Sequence, residues 1–96
     1  MAFTPVAFPK FNRIKKELPA SLRLEIDKQV NGICRDPTIG ELKTGDLQGV
    51  RVYKFSYLGQ LYLLAYTIDK ANEIIYLLAI GGHENFYRDL KNYPKS

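Results

Sequence analysis

The sequence predicts a two-layer α+β domain. An N-terminal helical hairpin packs on a mainly antiparallel sheet of about four strands, and a short C-terminal helix closes the chain. Three observations predict it. Apolar residues recur at helical spacing between Pro9 and Asp36. From Val50 onward the period drops to two, then gives way to strand-length runs that are apolar on both faces. Glycine and proline fall mainly between these segments and hardly within them. With 96 residues, positions 1–96 make one domain with a single core.

The elements follow in chain order. Residues 3–8 (FTPVAF) read as a short edge strand, because Pro5 would take a hydrogen-bond donor out of a central one. Pro9 suits the first position of a helix. Phe11, Ile14 and Leu18 then follow helical spacing, with Lys10, Arg13, Lys16 and Glu17 largely outside, until Pro19. Leu22, Ile26, Val30 and Ile33 form the apolar stripe of a second helix, with Ser21 as its expected N-cap. Asp36-Pro37 stops it. Residues 36–49 (DPTIGELKTGDLQG) read as loop. In residues 50–57 (VRVYKFSY), Tyr53, Phe55 and Tyr57 take one face; Val52, Lys54 and Ser56 take the other. Residues 61–68 (LYLLAYTI) and 73–80 (EIIYLLAI) complete a three-stranded meander of buried strands. The first strand is expected to join this sheet.

Composition narrows the function. The chain is 46% hydrophobic and 25% charged, the balance of a globular protein. A net charge of +4 points to an anionic partner, either nucleic acid or an acidic protein. The single Cys34 excludes an internal disulfide and is expected as a small buried hydrophobe. One Cys and one His cannot make a zinc framework, and neither a metal site nor a cofactor is expected. The apolar runs at 61–66 and 74–80 are too short to span a bilayer, and residues 1–10 lack the pattern of a signal peptide. A cytoplasmic location without membrane partners is the expectation.

Two stretches carry a resemblance to a family. DPTIGELKTGDLQGVRVYKF, residues 36–55, resembles the segment that leads into the second strand of bacterial RelE/ParE-family toxins. AIGGHENFYRDL, residues 79–90, is similar to the ending of that superfamily, where an apolar strand closes on Gly-x-His or Gly-x-Arg and an aromatic residue follows. The order of elements agrees over nearly the whole chain. The resemblance implies the RelE-like two-layer fold and the toxin of a type II toxin–antitoxin pair. Many members are mRNA endonucleases acting on the ribosome. Members of the ParE branch inhibit DNA gyrase without cleaving nucleic acid. The implied partners are a cognate antitoxin, mRNA and the ribosome, with operator DNA reached through the antitoxin complex.

Cleavage of RNA without a metal needs a base for the 2′-hydroxyl, an acid for the leaving 5′-oxygen, and cations around the charged phosphorane. Histidine suits proton transfer near neutrality. By resemblance to YafQ- and HigB-like members, His83 is the expected acid or base. Tyr87, four residues on, is its partner, stacking on a base or orienting the phosphate. The residues alone also allow a helix cap for His83 and core packing for Tyr87. Lys54 occupies the strand position where RelE-like members carry a catalytic cation. Arg51, Arg88 and Ser56 are the expected phosphate or RNA contacts, although strict alternation puts Arg51 on the face opposite Lys54. One position departs from the pattern. Relatives with strong RNase activity often carry an arginine three residues before the tyrosine of the next strand, and here that residue is Leu63. A non-enzymatic gyrase inhibitor and an inactive member that binds its antitoxin therefore stand as alternatives.

Overall fold

The computed structural model describes residues 2–83. The expected C-terminal helix, with Tyr87 and Arg88, lies outside the described residues. Strand β1 (Thr4–Ala7) leads into helices α1 (Pro9–Lys16) and α2 (Ala20–Arg35). Two 3₁₀ turns, Pro37–Ile39 and Gly45–Leu47, flank the two-residue strand β2 (Glu41–Leu42). The meander of β3 (Arg51–Tyr57), β4 (Gln60–Asp69) and β5 (Ile74–Gly82) follows. The sheet order is β1-β5-β4-β3-β2, antiparallel throughout except for β1, which runs parallel to β5.

Two expectations need correction. The segment read as loop contributes β2, a fifth strand too short to show a period in the sequence. The N-cap of α2 is Pro19 and no side chain caps it, so Ser21 already lies inside the first turn. Arg23 stabilises this corner instead. Its guanidinium donates to the carbonyl of Leu18 at 2.6 Å and reaches that of Lys16 at 3.4 Å, satisfying acceptors left open where α1 ends. Lys15 and Asp27 add an ion pair between the two helices.

The helices cover one face of the sheet. Leu22, Ile26, Val30, Ile33 and Cys34 are the buried side of α2, and Phe11 is that of α1. They pack on Phe55, Leu64, Tyr66, Ile75, Leu77 and Ile80. Each aliphatic side chain fully buried here contributes roughly 1.5–3 kcal/mol. Burial raises the pKa of the Cys34 thiol, so it behaves as the expected hydrophobe. The other face carries a second buried cluster of Val52, Leu63, Ala65, Leu78 and Ala79, with Leu47, Val50, Phe8 and Tyr76 against it. Among the described residues no helix is long and apolar enough to cross a membrane.

One irregularity sets the sidedness of β5. Ala65 pairs with Ala79 and Tyr66 with Leu77, which leaves Leu78 as the extra residue of a β-bulge. Before the bulge, Ile75 and Leu77 face the helices; beyond it, Ile80 does. The bulge therefore inverts the alternation in the second half of the strand.

Candidate functional site

The face of the sheet turned away from the helices carries the candidate site. Lys54 pairs with Leu63, which pairs with Gly81. One row further, Ser56 pairs with Leu61, and the His83 amide donates to the Leu61 carbonyl at 3.2 Å. His83 thus continues the ladder by one residue and shares its row with Ser56, adjacent to the row of Lys54. Across two strand spacings and one pleat, the Cα atoms of Lys54 and His83 lie about 12 Å apart. Lys54, Ser56 and His83 are all exposed. Two side chains on backbones at that spacing can address opposite sides of one phosphodiester group.

Gly81 and Gly82 belong to β5 and do not break it, contrary to the expected strand end at residue 80. Their sequence position reads as a turn, yet the ladder to β4 holds them. Gly81 leaves the outer end of the Lys54 row without a side chain. The middle of that row is Leu63, 0% exposed, so the position where strongly active relatives place an arginine is a packed apolar one.

Arg51 does not join this face. It has the parity of Tyr53 and lies on the helix side, where its guanidinium donates to the Gly40 carbonyl at 2.8 Å. Strict alternation already excluded it from the face of Lys54, and the structure follows the alternation. Tyr87 and Arg88 lie outside the described residues.

Two residues of this surface escaped sequence reasoning. Glu41 pairs with Val52 in the ladder, so it shares the face of Lys54. Its carboxylate holds an ion pair with Lys43. The Lys43 hydrogen bond and charge, followed by the charge of Lys54, keep the Glu41 carboxyl below the usual carboxylate range. Ile39, Glu41, Val52, Tyr53 and Lys54 line an open hollow of about 290 Å³ at the sheet edge. A short Glu-x-Lys word inside a loop-like segment was the one signal for it, and two residues are too few to establish a period.

A helical hairpin, a parallel first strand and a three-stranded meander with a cationic edge define a class: small basic α+β domains of RelE-like topology. The chain belongs to the family described as ParE-like toxin of type II bacterial toxin–antitoxin system, which it matches over residues 6–91. Solved structures share the fold. The RelBE2 toxin–antitoxin complex of Mycobacterium tuberculosis gives a TM-score of 0.77 at 18% identity, covering 86% of this chain and 100% of that chain. The intact RelBE complex of E. coli gives 0.71 at 17%, covering 86% and 99%. The archaeal RelE–RelB complex of Pyrococcus horikoshii gives 0.62 at 16%, covering 88% and 98%. At such identities the likeness shows the fold alone. No curated protein sequence matches the chain.

Proposed function

We propose that this toxin is an endoribonuclease that cleaves mRNA on the ribosome by acid/base chemistry without a metal. A base removes the 2′-hydroxyl proton, and the 2′-oxygen attacks phosphorus. The bond from phosphorus to the 5′-oxygen breaks, and an acid protonates the leaving oxygen. The products are a 2′,3′-cyclic phosphate and a 5′-hydroxyl. His83 takes one of the proton-transfer roles, and Lys54 stabilises charge on the phosphorane. Ser56, in the row of His83, donates to a phosphate oxygen. Tyr87 and Arg88 complete the site on the strength of the family resemblance. One observation carries this reading: the exposed residues His83 and Lys54, 29 positions apart in the sequence, stand in adjacent rows of one sheet face. Alignment of the message by the ribosome supplies positioning that so sparse a site lacks.

The partner of the free toxin is a cognate antitoxin. The RelB–RelE complexes of like fold support this. Operator DNA is reached through that complex, and the toxin acts in the cytoplasm.

A second reading has its own support. The matching family is ParE-like, and Leu63 replaces the expected arginine. On that reading the chain inhibits DNA gyrase and cleaves nothing. Expression of wild type, His83→Ala and Lys54→Ala, followed by primer extension on a reporter mRNA, separates the two. The enzyme gives discrete cuts that fall by about 10²–10⁴-fold in His83→Ala. Growth arrest that persists in His83→Ala with no cuts in any strain sinks the nuclease. Inhibition of purified gyrase in a supercoiling assay then establishes the alternative.

A further inference from the structure

The hollow beside Lys54 exists because β2 stops at Glu41. The antiparallel register of Glu41 with Val52, continued two steps, would bring Gly40 opposite Tyr53 and Ile39 opposite Lys54. The chain leaves the ladder instead, and both peptide groups of Gly40 are held elsewhere. Its N–H donates to the Tyr66 hydroxyl at 3.0 Å, and its carbonyl accepts from Arg51 at 2.8 Å. The same hydroxyl donates onward to the Pro37 carbonyl. Tyr66 is 0% exposed and sits on β4, the strand next to β3. Burial pushes its phenol pKa up, so the hydroxyl stays protonated and able to donate.

Gly40 is suited to this contact by closeness, not by conformation. Its φ of −81° and ψ of 149° are open to any residue. A Cβ there would lie 2.5 Å from the Tyr66 hydroxyl oxygen and 2.9 Å from its ring carbon Cε1. Gly40, Tyr66 and Arg51 therefore form one clamp that needs all three residue types.

The consequence lies on the other side of the sheet. In β3 the peptide groups of residues 51, 53, 55 and 57 turn toward β4, as the two-residue hairpin after Tyr57 requires. Those of Lys54 and Ser56 turn outward, where no strand among the described residues pairs with them. The clamp thereby leaves an open edge at Lys54 with Ile39 and Glu41 as its outer wall.

We infer that Tyr66, with Arg51, is a positioning residue that holds Gly40 off the sheet and keeps the hollow beside Lys54 open for substrate RNA. The inference rests on the proposed nuclease reading. It reassigns Arg51 from a phosphate contact to a support on the reverse face.

Tyr66→Phe tests it, because the ring and its packing remain and the hydroxyl alone is lost. Two measurements are made: amide exchange and resonance positions by NMR, and kcat and KM on mRNA in programmed ribosomes. The Gly40 amide is expected to exchange about tenfold faster, the equivalent of one net hydrogen bond. The amides of Glu41 and Lys54 shift, and KM rises about tenfold while kcat stays within about twofold, since Lys54 and His83 keep their ladder. A purely stabilising role would lower the unfolding temperature and leave KM unchanged well below it. Gly40→Ala raises KM in the same way, and the double variant is no worse than Gly40→Ala alone, because the alanine has already displaced the contact that the hydroxyl makes. A Gly40 amide equally protected in Tyr66→Phe, or an active variant with wild-type KM, overturns the inference. A wild type that cuts no RNA overturns the nuclease reading instead. The Gly40 exchange and the Lys54 shift then still decide whether the clamp holds the hollow open.

Discussion

Leu58 sits in a conformation that its own side chain opposes. Tyr57 pairs with Gln60, so Leu58-Gly59 is a two-residue hairpin loop. Its φ values of 50° and 79° are those of a type I′ turn, in which both central residues are left-handed. Glycine accepts this freely, whereas a leucine there costs about 1–2 kcal/mol. Asparagine is far better tolerated, and Asn-Gly is the preferred pair for this turn. Against that gain stands the burial that Leu58 would give up. Leu58 is 84% exposed, so its apolar contact with the neighbouring hollow of Pro19, Leu22 and Tyr62 is worth only about 0.4 kcal/mol. Leu58→Asn is therefore expected to stabilise the protein by about 1 kcal/mol. For 96 residues the unfolding entropy is about 0.2 kcal/mol/K, so the unfolding temperature rises by about 5 °C. Thermal unfolding followed by circular dichroism, with urea unfolding at 25 °C as a second measure, reads the change. The proposed RNA cleavage should not move, because the loop lies beyond the rows of Lys54 and His83. An unfolding temperature that stays put or falls would refute the reasoning, since contacts of the leucine would then outweigh its backbone strain.

Other consequences follow from the same geometry. Ile26, 0% exposed at the centre of the α2 stripe, leaves a cavity when cut to alanine; Ile26→Ala is expected to cost about 3 kcal/mol, read from the urea midpoint at constant slope. Arg23→Ala frees the carbonyls at the end of α1 and should cost about 1–2 kcal/mol, and Arg23→Lys restores little because a point charge cannot bridge both. Hydrogen bonds from Thr38, Lys43 and Asn72 hold the carboxyls of Asp36, Glu41 and Asp69 below their ordinary range. Their folded values lie below the unfolded ones, so their contribution is complete above about pH 4 and drains away as pH falls through the folded values. The unfolding temperature should thus be insensitive to these groups from pH 6 to 8 and decline in acid. Asp36→Asn should make that acid decline shallower, and an unchanged acid limb would contradict the assignment.

Most of the fold was legible because its elements announce themselves by period. The α2 stripe of Leu22, Ile26, Val30 and Ile33 is buried as the helical spacing demands. Pro9 opens α1, Asp36-Pro37 closes α2, and β1 joins the sheet. Alternation in β3 correctly put Lys54 and Ser56 on one face and Arg51 on the other. What escaped was structure set by partners distant in sequence. A two-residue strand such as β2 has no period, and only its ladder to Arg51 and Val52 defines it. Tyr66 lies in a run read as a buried strand, but a pattern of apolar positions says nothing about where a phenol oxygen ends. Ser21 matched the composition of an N-cap, yet the cap falls two residues earlier, at Pro19, where the proline turn already supplies the bend.

The placement of His83 shows how far a small irregularity can decide chemistry. Counted by strict alternation from Ile75 and Leu77, which face the helices, position 83 would also face the helices. An imidazole there would lie on the side of Tyr62 and Phe55, away from Lys54. The bulge at Leu78 reverses the count. Its cause is packing. Leu77 and Ile80 both reach the helix layer although three residues apart, and Leu78 with Ala79 fills the opposite face against Leu63 and Ala65. With Ala65 and Ala79 paired, the crossing is small enough for the extra residue to fold outward without crowding. The apolar demand of two faces thus inserts one residue into the strand, and that residue puts the chain's single histidine in the row of Ser56, next to the row of Lys54. The candidate site follows from the core on both sides of the sheet, which is why no motif centred on His83 alone could have placed it.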